Sequence, residues 1–209
     1  MENGPLFIIG AGGFGREVWW LAKRLKLSPQ LLQTECIDVP EKSLSYGVYS
    51  LEAHQSVFKN SGFKPDYTVA VGDPTIRRHL VQPDWGLAAT LVDPSAIIGC
   101  YPLKEGTIIC AGTVMTVDIK VGRFTHINLG CRIGHDVEIG EFCTLSPSVN
   151  LMGNVKVGNG VFIGTGATVL PGVCLGDGVV LGAGAVANKD IAAGCTAVGV
   201  PAKVIKEAK

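Results

Sequence analysis

The chain has 209 residues, of which 47% are hydrophobic, 7% aromatic and 17% charged, so it is too apolar to be a disordered protein and has enough residues for a folded core. Eighteen basic residues balance eighteen acidic ones, which argues against nucleic acid or an anionic membrane as a partner. The seven cysteines form no CxxC pair and no signal-peptide pattern is present, so we expect reduced thiols and a cytoplasmic location.

The first 85 residues predict short strands that alternate with helices. The elements expected in chain order are a strand at Leu6–Gly10, a helix at Arg16–Leu27, a strand that ends at Asp38, a helix at Leu51–Lys59, a strand at Tyr67–Val71 and a helix at Pro74–Val81. This order is typical of a βαβαβ unit with a parallel sheet. We therefore expect a small Rossmann-like domain at residues 1–85.

A glycine motif lies between the first expected strand and the first helix. Gly10, Gly12 and Gly15 fit GxGxxG, and Asp38 follows at the end of the next strand. Such a loop predicts a phosphate group at the N-terminus of the helix. Because 85 residues form only one mononucleotide-binding half, a nucleotide-sugar diphosphate fits this domain better than NAD.

From Leu91 to Ala187 the chain repeats with a period of six residues. Fifteen of the seventeen positions in this series are Val, Ile or Leu, and the position four residues later is small or β-branched from Thr125 onward. Neither a 3.6-residue helix nor a two-residue strand alternation keeps this phase, whereas a parallel β-helix does. The series contains no insertion, so we expect coils of nearly equal size across residues 86–209.

A stretch of 20 uncharged residues lies between Lys156 and Asp177, within the repeats. It is long enough to resemble a membrane segment in a hydropathy plot, but it contains six glycines and a proline. We therefore predict no membrane helix.

Four segments together resemble the bacterial nucleotide-sugar acetyltransferases of the sialic acid O-acetyltransferase and UDP-4-amino-sugar N-acetyltransferase type. They are the hexad series, GAGGFGRE at Gly10–Glu17, GHDVEIGEF at Gly134–Phe142 and VGVPAKVIK at Val198–Lys206. The resemblance covers essentially the whole chain. It implies a left-handed β-helix with three hexads per coil, and a homotrimer that binds acetyl-CoA between neighbouring helices.

The resemblance also implies a catalytic set in the repeats. His135 matches the family's base histidine, Asp136 the acid that follows it, and Asn128 an asparagine seven residues earlier. Gly153 matches a glycine whose N–H binds the thioester oxygen, and it would stack on His135 if each coil has 18 residues. A carboxylate beside the imidazole is suited to orient the ring for proton transfer.

Three other features of the repeat domain bear on its chemistry. Thr144 stands where the family has a second histidine, which argues against a relay of two imidazoles. Cys131 and Cys143 occupy small inward positions, so we interpret them as core residues and not as acyl carriers. His126 is predicted at a corner or on the surface, and two histidines are too few for a three-imidazole zinc site, so no metal is expected.

The remaining site residues also come from the resemblance. Gly10, Gly12, Gly13 and Gly15 would approach the sugar nucleotide's diphosphate, Asp38 its base or ribose, and Arg77 a phosphate, with the neighbouring Arg78 as an alternative. For acetyl-CoA, the expected contacts are Gly153 and three lysines near phosphate groups: Lys189, Lys203 and Lys206.

Three functions remain open at this point. The first is acetyl-CoA-dependent N-acetylation of a nucleotide-linked 4-amino-4,6-dideoxy sugar, for surface polysaccharide or glycoprotein glycans. The second is O-acetylation of sialic acid or a related sugar. The third is a β-helical scaffold that binds a nucleotide sugar without catalysis, although a scaffold has no need of the His135, Asp136 and Gly153 set.

Overall fold

The computed structural model describes residues 5–33, 47–61, 64–99 and 102–207. The chain divides into two compact units, Met1–Gly72 with Ile76–Leu91, and Asp73–Thr75 with Val92–Lys209. Among the described residues, no helix is both long and apolar enough to cross a membrane.

The first unit contains a four-stranded parallel sheet with the strand order β3-β2-β1-β4. Its strands are β1 (Leu6–Ile9), β2 (Pro29–Gln33), β3 (Val48–Ser50) and β4 (Tyr67–Val69), and its helices are α1 (Gly13–Arg24), α2 (Leu51–Ser61) and α3 (Pro74–His79). The central strand β1 is buried along its whole length, as expected for a strand covered on both faces.

Apart from small shifts at the ends of β1, α2, α3 and β4, the observed elements differ from the expected ones at α1 and β3. Helix α1 begins at Gly13, three residues before the expected start, because Gly12 already has the extended backbone of an N-cap. Strand β3 was not expected: Val48 is half-buried while Tyr49 and Ser50 are exposed, so it shows no alternation of apolar and polar residues. The next expected strand is present as β2, Pro29–Gln33, and Asp38, its expected end, lies outside the described residues.

The second unit is a parallel β-helix in which each coil passes through three sheets. The first sheet contains β5 (Leu91–Val92), β7 (Ile108–Ile109), β10 (His126–Ile127), β13 (Thr144–Leu145), β16 (Phe162–Ile163), β19 (Val180–Leu181), β21 (Thr196–Val198) and β22 (Lys203–Lys206). The second contains β6 (Ile97–Ile98), β8 (Val114–Met115), β11 (Arg132–Ile133), β14 (Asn150–Leu151), β17 (Thr168–Val169) and β20 (Val186–Ala187). The third contains β9 (Lys120–Val121), β12 (Glu138–Ile139), β15 (Lys156–Val157) and β18 (Cys174–Leu175).

From β7 to β20, successive coils pair residues that are 18 positions apart, as in Ile127 with Leu145 and Ile133 with Leu151, whereas β21 pairs with β19 at a spacing of 16. The large aliphatic residue of each hexad fills the interior, and the small residue four positions later is also buried, as at Cys131 and Val137. One continuous column of apolar side chains therefore holds the coils together, and each added coil removes further apolar surface from water.

The predicted phase is wrong at the start of the β-helix. Ile98, not Ile97, pairs with Met115, and Ile97 is 67% exposed. The spacing between these paired residues is therefore one residue shorter than in later coils. Since the residue before Ile98 is also Ile, an apolar series alone could not reveal the shift.

Candidate active site

The candidate site lies at the corner where the chain leaves β11 of the second sheet and enters β12 of the third. His135 and Asp136 form this corner, and Asp136 has a left-handed backbone with φ of 58°. The residues in line with it on neighbouring coils, Asp118 and Asn154, share that conformation with φ of 56° and 61°. Asp and Asn tolerate it better than most side chains, so the turn itself favours an acidic or amide residue here.

The carboxylate of Asp136 holds the His135 ring by a short hydrogen bond. Nδ1 of His135 lies 2.7 Å from Oδ2 of Asp136. Because an ionised carboxylate only accepts, Nδ1 carries the proton, which leaves the lone pair of Nε2 free to receive one. In a single chain, 58% of the His135 side chain is exposed.

Gly153 lies one coil after His135, directly against the imidazole. A Cβ on Gly153 would lie 2.5 Å from both Cε1 and Nε2 of the ring, so only glycine fits without moving it. The carbonyl of His135 accepts the N–H of Asn154 at 2.9 Å, which sets the register of the two turns. The predicted stacking of Gly153 on His135 is therefore present.

The N–H of Gly153 has no hydrogen-bond acceptor within the part of the chain that the structure describes. Proline occupies the same place one coil later, at Pro171, so this N–H position is not needed for pairing between coils. The corner thus combines a proton acceptor, Nε2 of His135, with an amide donor of the kind that stabilises an oxyanion. Pro171 is absent from the set predicted by resemblance.

Asn128 lies at a different corner, before β11, whereas His135 follows that strand. Oδ1 of Asn128 accepts the N–H of Leu129 at 2.8 Å, and its backbone carbonyl accepts the Thr113 hydroxyl at 3.0 Å. A single chain therefore places Asn128 and His135 at opposite ends of one strand.

His126 and Thr144 pair in adjacent strands of the first sheet. His126 is 1% exposed, so the prediction of a corner or surface position is wrong. It lies in β10, and both residues of this strand are buried.

The cysteines of the β-helix interior are structural. Cys131 is buried, its thiol donates to the carbonyl of Ser146, and burial raises the pKa of the Cys131 thiol to about 11. A thiol with such a pKa is almost wholly protonated at neutral pH, which makes it a poor nucleophile. Cys143 is equally buried, and its thiol donates to the carbonyl of Gly158.

The glycine loop of the first unit contains two kinds of glycine. Gly10 has φ of 116°, and a Cβ on Gly15 would overlap the carbonyl oxygen of Gly10, so the close contact of α1 with β1 requires both. Around Gly12 and Gly13, by contrast, a Cβ would meet no atom within 4 Å. The space beside these two glycines is open at the N-terminus of α1, where backbone N–H groups favour an anion.

Arg77 is buried within the first unit. Its Nη1 donates to the carbonyl of Val71 at 2.6 Å, and the carbonyl of Gly72 lies 3.4 Å away. In this structure, therefore, Arg77 fixes the loop after β4, while the neighbouring Arg78 is exposed. A phosphate contact by Arg77 stays a prediction.

The three lysines predicted near CoA are exposed. Lys189 lies between β20 and Ile191, whereas Lys203 and Lys206 begin and end β22, which pairs antiparallel with β21. For metal chemistry, the described residues contain no group of three or more His, Cys, Asp or Glu side chains arranged to hold an ion.

Comparison with known proteins gives two family matches. Residues 5–83 match the PglD N-terminal domain, and residues 154–189 match the bacterial transferase hexapeptide family of six repeats. No curated protein sequence matches the chain.

Several solved structures are similar over nearly the full length. The perosamine N-acetyltransferase of Caulobacter crescentus, solved with CoA and GDP-perosamine, has 28% sequence identity and a TM-score of 0.88, and the match covers 98% of each chain. WeeI from Acinetobacter baumannii has 28% identity and a TM-score of 0.83, with 96% of this chain and 99% of that chain covered. The acetyltransferase domain of PglB from Neisseria gonorrhoeae, also solved with acetyl coenzyme A, has 28% identity, a TM-score of 0.78 and coverage of 97% and 100%.

The predicted fold, a Rossmann-like α/β domain followed by a left-handed parallel β-helix, is confirmed by these matches and by the structure. The predicted resemblance is confirmed as well. The chain thus combines a match to the PglD N-terminal domain with hexapeptide repeats, and over nearly its full length it is similar to two bacterial acetyltransferases, the perosamine N-acetyltransferase and the acetyltransferase domain of PglB.

Proposed function

We propose that this protein is an acetyl-CoA-dependent N-acetyltransferase that acts on a nucleotide-linked 4-amino-4,6-dideoxy sugar. The observation that carries the proposal is the corner at His135, where an imidazole bonded to Asp136 lies directly against Gly153. The Caulobacter enzyme, an N-acetyltransferase solved with CoA and GDP-perosamine, supports both the class of donor and the class of acceptor.

The transfer step is direct. The amine nitrogen of the sugar attacks the carbonyl carbon of the thioester, and Nε2 of His135 takes a proton from that nitrogen as the N–C bond forms. The Gly153 N–H stabilises the negative charge on the carbonyl oxygen. The C–S bond then breaks, the acetamide is released, and CoA leaves as a thiolate that receives a proton from the imidazolium.

A protonated amine has no lone pair for the attack, so the acceptor first loses one proton to solvent. His135 then removes the second proton as the new bond forms. Its Nδ1–H remains bonded to the Asp136 carboxylate, which holds the ring in one orientation during the transfer. A covalent route through Cys131 is disfavoured because its thiol is buried and has a raised pKa.

In this proposal the first unit binds the nucleotide. The open space at Gly12 and Gly13 lets the diphosphate approach the backbone N–H groups that begin α1, while Gly10 and Gly15 hold the loop in shape. Asp38 would contact the base or ribose. Arg77 contributes by fixing the loop after β4, through its bonds to the Val71 and Gly72 carbonyls.

Acetyl-CoA is proposed to lie along the β-helix with its thioester at Gly153. The exposed Lys189, Lys203 and Lys206 would pair with its phosphates. We further propose a homotrimer, in which Asn128 of a neighbouring copy meets the His135 corner. Within one chain these two residues occupy different corners, so a second copy is the simplest way to unite them.

The decisive experiment is an acetyl-CoA assay that measures free thiol. The acceptors are UDP-, dTDP- and GDP-linked 4-amino sugars, including GDP-perosamine, beside sialic acid as a hydroxyl acceptor. We expect turnover of at least one amino sugar. We also expect His135→Ala to lower kcat by about 10²-fold or more, the usual contribution of a general base.

Thr165→Ala is a matched control for this substitution. Thr165 is exposed and occupies the same turn position as His135 at another corner, since the Gly184 N–H bonds its carbonyl as the Asn154 N–H bonds that of His135. Full activity in His135→Ala would refute the role given to the histidine. Turnover of sialic acid without any amino sugar would assign O-acetylation instead.

A further inference from the structure

At two turns between the third and first sheets, a polar side chain bonds a backbone N–H that takes no part in the pairing between coils. The N–H of Asn159 donates to Oδ1 of Asp177 at 2.7 Å, and the N–H of Glu141 donates to Oδ1 of Asn159 at 2.9 Å. In both cases the acceptor lies 18 residues farther along the chain. A side chain on the next coil therefore closes the amide, and we call this arrangement a side-chain cap.

Gly153 occupies the same place in its turn as Asn159 does in its own. The carbonyl of Asn159 accepts the N–H of Gly178 at 2.8 Å, and the carbonyl of Gly153 accepts the N–H of Gly172 at 3.0 Å. The residue that would cap Gly153 is therefore Pro171, the counterpart of Asp177. A proline side chain has no hydrogen-bond acceptor, so it cannot form a cap.

The residue before the amide also differs between the two corners. Gly140 and Gly158 precede the capped amides of Glu141 and Asn159, and a Cβ on Gly158 would overlap the Asp177 carboxylate. Met152 precedes Gly153 and carries such a Cβ. Relative to the capped turns, Met152 therefore stands in the place of a glycine and Pro171 in the place of a side chain with an acceptor oxygen.

We propose that Pro171 and Met152 keep the Gly153 N–H open by excluding a side-chain cap of the kind that closes the amides of Glu141 and Asn159. The inference rests on the proposed function, in which that N–H binds the thioester oxygen. Both are positioning residues: they act on the reaction through the amide. An asparagine at position 171 would place its side-chain oxygen on the Gly153 N–H. That oxygen would compete with the thioester oxygen of the substrate for the same donor.

The test rebuilds the cap. In a Met152→Gly background, Pro171→Asn is compared with Pro171→Leu, because Asn and Leu have similar branching and only Asn offers an acceptor. Relative to the Leu chain, we expect the Asn chain to lose about 10²-fold in kcat, the usual effect of losing one oxyanion donor, with the KM for the nucleotide sugar unchanged. Both chains should unfold at similar temperatures, since Pro171 is exposed.

A second measurement does not depend on activity. Hydrogen exchange of the Gly153 amide, followed by NMR in glycine-labelled protein, should be slower in the Asn chain than in the Leu chain. Equal kcat values in two active chains, or equal exchange rates at Gly153, would overturn the inference. If the unsubstituted protein acetylates no sugar, the proposed function fails, while the exchange comparison still decides whether the cap forms.

Discussion

Asp136 meets two separate requirements with one side chain. Its left-handed backbone, with φ of 58°, is a requirement of the turn, and Asp118 and Asn154 meet the same requirement on neighbouring coils. Its carboxylate also bonds Nδ1 of His135 at 2.7 Å, which the turn does not require. The two roles are separable, because asparagine keeps the backbone preference and loses the charge.

The substitution Asp136→Asn should therefore reduce activity without reducing stability. We expect kcat to fall by about 10-fold, less than the roughly 10²-fold or more for loss of the base itself, because the imidazole remains but loses its charged partner. The measurements are steady-state kinetics and thermal unfolding.

Asp118→Asn is the matched control, since it makes the same chemical change at the same turn position one coil earlier. We expect it to keep full activity. Equal losses in the two variants would show that Asp136 acts only through the turn, and that the ring needs no carboxylate.

His135 and Asp136 could be predicted from the sequence because they are adjacent residues within a recognisable motif. Pro171 and Met152 could not be predicted in the same way. Their proposed effect on the Gly153 amide depends on which side chain of one coil lies next to which amide of the previous coil. The hydrogen bonds between the coils provide that information.

At the level of elements, the glycine motif at the start of α1 contains residues in two different environments. Gly10 and Gly15 let the helix approach the strand, whereas Gly12 and Gly13 border open space. A sequence pattern of four glycines cannot distinguish these roles, because it contains no information on what a Cβ would meet.

The two roles predict opposite results for the same substitution. Gly15→Ala should lower the free energy of unfolding by about 1–3 kcal/mol, the usual cost of overpacking, because its Cβ would overlap the Gly10 carbonyl oxygen. Gly13→Ala should leave stability unchanged but raise the KM for the nucleotide sugar about 10-fold, equivalent to losing roughly 1.4 kcal/mol of binding.

Urea unfolding and steady-state kinetics of the two variants provide the comparison. A Gly13→Ala chain with unchanged KM for the sugar would contradict the placement of the diphosphate at this loop. A Gly15→Ala chain of normal stability would instead show that the helix adjusts to the added methyl group.

The six-residue period predicted the β-helix because each hexad places an aliphatic residue in the interior. The period remains recognisable even where a single coil deviates by one residue. The same redundancy concealed the shift at Ile97 and Ile98, since either isoleucine continues an apolar series. Hydrogen bonding to Met115 selects Ile98, and the outward isoleucine is left exposed.

At the level of the whole molecule, the His135 corner of a single chain is open to solvent. More than half of the His135 side chain and 53% of the Asp136 side chain are exposed. An imidazole and an amide N–H act on a thioester far more strongly where water is excluded. A neighbouring copy that covers this corner would provide the second wall, which is the physical argument for the proposed homotrimer.

We therefore expect sedimentation velocity at assay concentrations to give a species of three times the 21.9 kDa chain mass. Specific activity should fall on dilution to concentrations at which this species dissociates. A fully active monomer would contradict the proposed assembly and the proposed contribution of Asn128 from a second copy.

The sequence by itself determined the architecture, because a six-residue period over nearly a hundred residues can bury its aliphatic side chains only in a stack of similar coils. It also predicted that His135 and Asp136 lie side by side, because they are neighbours along the chain, and the structure places Nδ1 of His135 2.7 Å from Oδ2 of Asp136. The tertiary structure decided what depends on contact between coils: that the His135 ring requires glycine at position 153, that Arg77 is buried against backbone carbonyls, and that the Gly153 amide has no cap. Such contacts join residues 18 positions apart, and their geometry exists only once the coils have stacked.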